Sequence, residues 1–242
     1  MGKTRNENVA VLFFSRSPET EARYKRFVGG RRSGQNHAVA KALIRHTRKQ
    51  IKRSGLPVFE FDEHHQQGQS FGQRLSNAFL TVFRNGYDHV IAVGNDTPAL
   101  RTSHIRNAAR ELAERGTSIV LGPASDGGTW LMGYRREAFE PTSFLELPWN
   151  SPDLLDTILE TREREVTVAL LPVLGDIDDE RGLYSFLNQF SCNRLLVHLI
   201  RYIQSILKQE QAAFLGQQSP ISTGVRLFPF LLRAPPACCS SP

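Results

Sequence analysis

The stretch YDHVIAVGNDTP, Tyr87–Pro98, joins a short apolar run to a glycine, two polar residues and a Thr-Pro stop. Tyr87–Val93 reads as a β-strand, and a strand that breaks at once into Gly94-Asn95-Asp96 sets the Asp96 carboxylate at the carboxyl edge of a sheet. In open α/β sheets that edge is where ligands bind. Working outward, Val9–Ser15 (VAVLFFS) is a continuous apolar run of β-formers, the pattern of a strand covered on both faces. Pro57–Phe61, Ser118–Leu121, Thr129–Tyr134 and Val166–Leu171 read as further strands, with Gly127-Gly128 turning the fourth into the fifth.

Helical periodicity fills the intervals. Gln35–Arg53 places Val39, Leu43, Ile44 and Ile51 on one face, and Phe71–Arg84 does so with Leu75, Phe79, Leu80 and Phe83 before Gly86 stops it. A third helix, capped by Thr102 or Ser103, is expected through Arg115, and a fourth from Ser151-Pro152-Asp153 to about Arg164. Asp179–Phe190 and Asn193–Lys208 close the chain as helices. Arg16–Gly34 reads as a basic loop and 211–242 as a tail without a clear element. Alternating strands and helices predict a mainly parallel α/β sheet.

Composition narrows the function. The chain has 242 residues, 40% hydrophobic and 22% charged, near the globular average, which excludes disordered and fibrous classes. The three cysteines, Cys192, Cys238 and Cys239, form neither a disulfide framework nor a CxxC knuckle. With no signal peptide and no run of about 20 apolar residues, a cytoplasmic protein without a membrane span is expected. Residues 1–60 carry 14 Lys+Arg against 4 Asp+Glu, so the net +6 is an N-terminal property and points to an anionic partner. Over most of its length the basic stretch lacks interleaved aromatics, and no RNP or helix-turn-helix signature occurs, which disfavours nucleic acid.

Several residues could carry chemistry. Asp96 suits a hard cation such as Mg²⁺ or Mn²⁺ bridged to phosphate oxygens, or else an Asx turn into Thr97-Pro98. Asp126, in Ser125-Asp126-Gly127-Gly128, is a hairpin turn residue by pattern, yet lies near the same edge. Asp176, Asp178 and Asp179 follow the sixth strand, and one could be a second ligand. Arg16, Arg23, Lys25, Arg26, Arg31 and Arg32 could grip a pyrophosphate or form a solvated basic surface. There is no Walker loop, GxGxxG, HExxH or GxSxG.

Taken in order, Phe13–Pro18 with Arg26, Gly72-Gln73-Arg74-Leu75, Val93–Pro98, Leu121–Gly128, Pro148–Pro152 and Asp176-Ile177-Asp178 resemble the DUF2064 family of glycosyltransferase-like proteins, over roughly residues 8–187. The resemblance implies a three-layer α/β/α nucleotide-diphospho-sugar transferase (GT-A-like) fold with a mainly parallel central sheet. It implies such a domain over 8–190, with a C-terminal helix and irregular tail over 191–242. It implies a divalent cation, Mg or Mn, on Asp96 and Asp178, a catalytic or orienting role for Asp126, and nucleotide binding by Arg16, Lys25, Arg26 and Arg74. The implied activity is a metal-dependent transferase using a nucleoside-diphosphate sugar and an unknown acceptor. A nucleotidyltransferase and a non-catalytic binding protein are the alternatives. The chain departs from the family pattern where Glu21 stands in place of a glycine, Tyr24 in place of a lysine and Ser125 in place of an acidic residue.

Overall fold

The computed structural model describes residues 8–29, 33–114, 116–161, 165–191 and 193–216. Arg31, Arg32 and the three cysteines lie outside them. Six strands make one sheet: β1 (Val9–Phe14), β2 (Val58–Phe61), β3 (His89–Val93), β4 (Ile119–Pro123), β5 (Thr129–Arg135) and β6 (Val168–Leu170). Their order across the sheet is β2-β1-β3-β5-β4-β6. β1 pairs with β2 and β3 in parallel, and β4 with β6 likewise. β5 runs antiparallel to both β3 and β4. The mainly parallel sheet is as the sequence predicts, with β5 its single reversal.

The reversal follows from the Asp126-Gly127-Gly128 turn. Ala124 N donates to Gly128 O at 2.9 Å, and Gly127 takes φ +90°, a conformation that glycine reaches at little cost. A chain turned this tightly must come back antiparallel.

Both faces of the sheet are covered, which explains why β1 is apolar at every position. Val9, Val11 and Phe13 point to a core shared with helices α2 (Ser33–Ser54) and α4 (Thr102–Ala113). Ala10 and Leu12 face α3 (Phe71–Arg84), α5 (Pro141–Glu146) and α6 (Leu154–Thr161). The result is a three-layer α/β/α sandwich. A third cluster packs α2 against α7 (Glu180–Gln189) and α8 (Val197–Gly216), with Val39, Leu43, Leu183, Leu187, Ile200 and Ile203 buried between them.

Four local expectations are corrected. The basic segment after β1 is not all loop: α1 (Pro18–Tyr24) forms inside it, with Ser17 accepting from Thr20 N as N-cap and Pro18 at the first helical turn. α4 starts at Thr102, but neither Thr102 nor Ser103 caps it. The Thr102 hydroxyl donates instead to Gln50 O at 3.1 Å, tying α4 to α2. The fourth predicted helix begins three residues late, at Leu154, because Ser151 accepts from Asp153 N in a preceding turn. α8 continues through Gly216, past the expected end at Lys208. The sequence reading had no counterpart for α5, which Glu140 caps by accepting from Ser143 N at 2.6 Å.

Candidate active site

The carboxyl edge of the sheet opens into a cleft of about 530 Å³. Three segments build its charged wall. The first is α1 and the turn after it. Asn36 on α2 clamps that turn from inside the protein. Its Nδ2 donates to Ala22 O and Lys25 O, both at 2.7 Å, while its Oδ1 accepts from Phe27 N at 2.7 Å and Val28 N at 3.2 Å. Glu63, from the segment after β2, holds the other end of α1, accepting from Ser17 N at 2.6 Å and from the Ser17 and Thr20 hydroxyls at 2.5 Å. Those donors outweigh the effect of burial and hold the Glu63 carboxyl down at about 2.

The second segment is the end of β3 and the third is the loop after β6. That loop runs back along the sheet edge: Leu174 N donates to Pro123 O at 3.1 Å and Ile177 N to Asp96 O at 2.8 Å. Thr97 Oγ1 donates to Asp176 Oδ1. These contacts join segments 79 residues apart at Thr97 and Asp176, and Asp176 and Asp178 stand beside Asp96.

Lys25 joins the three segments. Its Nζ lies 2.6 Å from Asp96 Oδ1, 2.8 Å from Asp178 Oδ1 and 3.4 Å from Glu21 Oε1. Burial works to lower the Lys25 pKa, but the carboxylates of Asp96, Glu21 and Asp178 outweigh it and hold the ammonium above its ordinary value. Burial pushes the Asp96 carboxyl up, with Lys25 opposing and Glu21 and Asp178 assisting. The Asp96 side chain nevertheless remains 40% exposed to the cleft, so a ligand can reach it. Asp176 is pushed to about 6 by burial and by the neighbouring carboxylates, against its hydrogen bond from Thr97.

Glu21, 1% exposed, is the buried member of this wall. Arg16 Nη1 lies 3.2 Å from its Oε2, and Asn95 Nδ2 donates to its Oε1 at 3.3 Å. The Arg16 guanidinium also covers the Tyr24 ring at 4.4 Å.

The opposite wall is apolar and aromatic. Phe14, Phe71, Leu75, Met132, Trp149 and Leu154 line it. Phe71 packs between Phe14, edge-on with ring centroids 5.7 Å apart, and Trp149, tilted at 5.3 Å. Trp149 lies so close to Gly72 that any Cβ there would overlap its ring. Its indole N–H donates to Phe144 O at 3.0 Å. Arg74 sits on this side and donates to Gln69 O at 3.1 Å.

The structure therefore brings Arg16, Lys25, Arg74, Asp96, Asp126 and Asp178 to one cleft. Asp126 stands at its rim with Oδ1 accepting from Gly128 N at 3.0 Å, so it shapes the turn while facing the cleft. Arg26 is not brought there. It is exposed, and its backbone bridges that of Asp179. Sequence reasoning did not single out Glu21 as a wall residue, nor Asn36, Glu63 or Gln66. Gln66 donates to Ser15 O at 2.9 Å and Phe61 O at 3.1 Å, pinning the loop beside β1. A polar residue amid an apolar helical face was the available signal for Asn36. Glu63 and Gln66 had none.

Among the described residues, no group of three or more His, Cys, Asp or Glu side chains could hold a metal ion by itself. Two observations nonetheless fit a divalent cation. A cation, the Lys25 ammonium, already bridges Asp96 and Asp178. The cleft lining holds five carboxylates (Glu21, Asp96, Asp126, Asp176, Asp178) against three basic groups (Arg16, Lys25, Arg74). So acidic a cleft repels a free polyphosphate and accepts one that brings its own positive charge. Two carboxylates completed by phosphate oxygens and water is an ordinary Mg²⁺ arrangement.

The family model described as an uncharacterized protein conserved in bacteria (DUF2064) matches residues 35–151. The chain's family resemblance is to DUF2064. The matched segment contains Arg74, Asp96, Asp126 and Trp149, whereas Arg16, Lys25 and Asp178 flank it. None of the curated proteins matches the chain. Among solved structures, a protein from Desulfovibrio desulfuricans G20, provisionally described as a nucleotide-diphospho-sugar transferase, superposes with a TM-score of 0.71 at 22% identity. The match covers 84% of this chain and 98% of that one, and establishes the nucleotide-diphospho-sugar transferase fold. A mannosyltransferase from Pyrobaculum calidifontis, in complex with GDP-Man and Mn²⁺, gives 0.40 at 12% identity, covering 88% of this chain and 76% of that one. A cytidylyltransferase from Leptospira borgpetersenii gives 0.40 at 12%, covering 89% and 100%. Among the described residues no helix is long and apolar enough to cross a membrane.

Proposed function

We propose that the protein is a metal-dependent transferase that uses a nucleoside-diphosphate sugar. The observation that carries this reading is the meeting of Asp96 and Asp178 across one buried cation at the carboxyl edge of the sheet. Asp96 and Asp178 would hold Mg²⁺ or Mn²⁺, which when bound supplies positive charge against the diphosphate leaving group. Arg16 and Lys25 donate to the phosphate oxygens from one side of the cleft, and Arg74 from the other. Lys25 then exchanges its two aspartate partners for phosphate while Glu21 keeps hold of it. The aromatic wall shields the reacting centre from water, and Asp126 at the rim orients the sugar or accepts a proton from the acceptor hydroxyl. Location in a cytoplasmic compartment goes with a nucleotide-sugar substrate.

Calorimetric titration with nucleoside diphosphates and nucleotide sugars, in Mn²⁺ and in EDTA, tests the reading. Binding in Mn²⁺ that is abolished by EDTA and by Asp96→Ala is expected. Binding that is independent of metal and survives Asp96→Ala would sink it.

A further inference from the structure

The charged wall contains a carboxylate to which the transferase reading gives no contact with metal or substrate. Glu21 is 1% exposed, yet it faces the cleft. A buried carboxylate is tolerated only where donors replace its lost water. Here they are Arg16 Nη1 at 3.2 Å, Lys25 Nζ at 3.4 Å and Asn95 Nδ2 at 3.3 Å. Two of the three basic groups lining the cleft are thus already engaged by an anion of the protein itself. The third, Arg74, donates to Gln69 O. Arg23 and Arg26 are exposed and outside the lining. Among the described residues no further cation is available at this end of the cleft.

We propose that Glu21 is a specificity residue: its carboxylate fills the place of a terminal phosphate between Arg16 and Lys25, so that the cleft accepts a metal-bound diphosphate and rejects a triphosphate. This rests on the diphosphate reading above and deepens it. A third phosphate could bind only by taking Arg16 and Lys25 from Glu21, which would leave a buried carboxylate without its charge partners and facing the incoming phosphate. A diphosphate meets no such conflict: Arg16 keeps Nη1 on Glu21 and offers its remaining N–H groups, while Lys25 gives up Asp96 and Asp178, whose charge the metal takes over, and keeps Glu21.

The test uses the full chain with Mg²⁺ and two base-free probes, inorganic pyrophosphate and tripolyphosphate, by isothermal calorimetry. Wild type is expected to prefer pyrophosphate by about tenfold or more, despite the greater charge of tripolyphosphate, as loss of a charge-assisted contact implies. Glu21→Gln keeps the side-chain shape and removes the charge. It should tighten tripolyphosphate about tenfold while shifting pyrophosphate by less than about threefold. A wild type that binds pyrophosphate but takes tripolyphosphate equally well, or a folded Glu21→Gln variant with an unchanged ratio, overturns the role of Glu21 alone. Should Glu21→Gln fail to fold, the wild-type ratio still decides. A wild type that binds neither probe nor any nucleoside diphosphate overturns the diphosphate reading together with the proposal.

Discussion

The two walls of the cleft are built on different principles. The charged wall is assembled from segments far apart in sequence, held by ion pairs and by hydrogen bonds to Asn36 and Glu63, and its two cations are engaged by its carboxylates before any ligand arrives. The aromatic wall is held by shape, with glycines at 72 and 127 letting Trp149 and Pro152 approach the backbone closely. The difference teaches where each wall is vulnerable. A change in charge re-sorts partners on the first wall without moving its backbone. A change in volume on the second has nowhere to go, since packed interiors tolerate little overpacking.

The largest effect is therefore expected on the aromatic wall. Gly127→Ala would put a Cβ against the Pro152 carbonyl oxygen at a residue already at φ +90°. Strain and overlap together should cost about 3 kcal/mol or more, read as a lowered midpoint in chemical denaturation. Unchanged stability would mean that the turn and the 148–152 loop are not locked together.

Next comes Lys25→Met. It leaves Asp96, Asp178 and Glu21 without their shared cation. Because Asp96 and Asp178 are 40% and 63% exposed, water compensates part of the loss. The cost should be about 1–2 kcal/mol, below the 3–5 of a fully buried pair. The same variant should bind Mn²⁺ alone more tightly than wild type, by fluorescence or calorimetric titration, and pyrophosphate more weakly. A Mn²⁺ affinity that falls would show that Lys25 orders the carboxylates rather than competing for them.

Smaller still is Glu63→Gln at the far end of α1, about 1 kcal/mol at pH 7. The sign of its pH dependence is fixed by the depressed carboxyl, which stands at about 2 against an ordinary 4.5. The folded state holds its proton less tightly than the unfolded state, so the stabilisation is full above 4.5 and is lost as pH falls toward 2. The stability gap between wild type and Glu63→Gln should close over that window in denaturation curves run from pH 7 downward. A gap that stays constant would assign the stabilisation to shape rather than charge.

Legibility differs between the walls as well. Asp96 and Asp126 were readable because each sits directly after a strand, where local pattern and sheet topology agree. Local pattern offered Asp178 as one of three carboxylates after the sixth strand and Lys25 as one of six basic residues after the first, and the family resemblance narrowed that choice. Arg26 shows the limit of that route: next in sequence to Lys25, its side chain is exposed and lies outside the cleft lining. The charge arithmetic also changed meaning. An excess of ten positive charges in the first quarter suggested a basic anion site, yet the cleft itself carries more carboxylates than cations. Much of the excess lies on α2, where Lys41, Arg45, Lys49, Lys52 and Arg53 have no part in the cleft lining.

By itself the sequence determined the six strands, the longer helices and the fold class; the short helices α1 and α5 were not legible. A run such as VAVLFF can be buried on both sides only as a covered strand, and alternation with amphipathic helices leaves a parallel sheet as the arrangement that satisfies both. It also determined that carboxylates would emerge at the carboxyl edge, because strand ends are local features. Only the tertiary structure decided which charges meet. The loop after β6 returns along the sheet edge to place Asp178 beside Asp96, and Asn36 turns the chain so that Lys25, not Arg26, points inward. Those contacts depend on backbone contacts between segments far apart in sequence, such as Ile177 N to Asp96 O and the bridge between Arg26 and Asp179, and no local pattern records a partner at that distance.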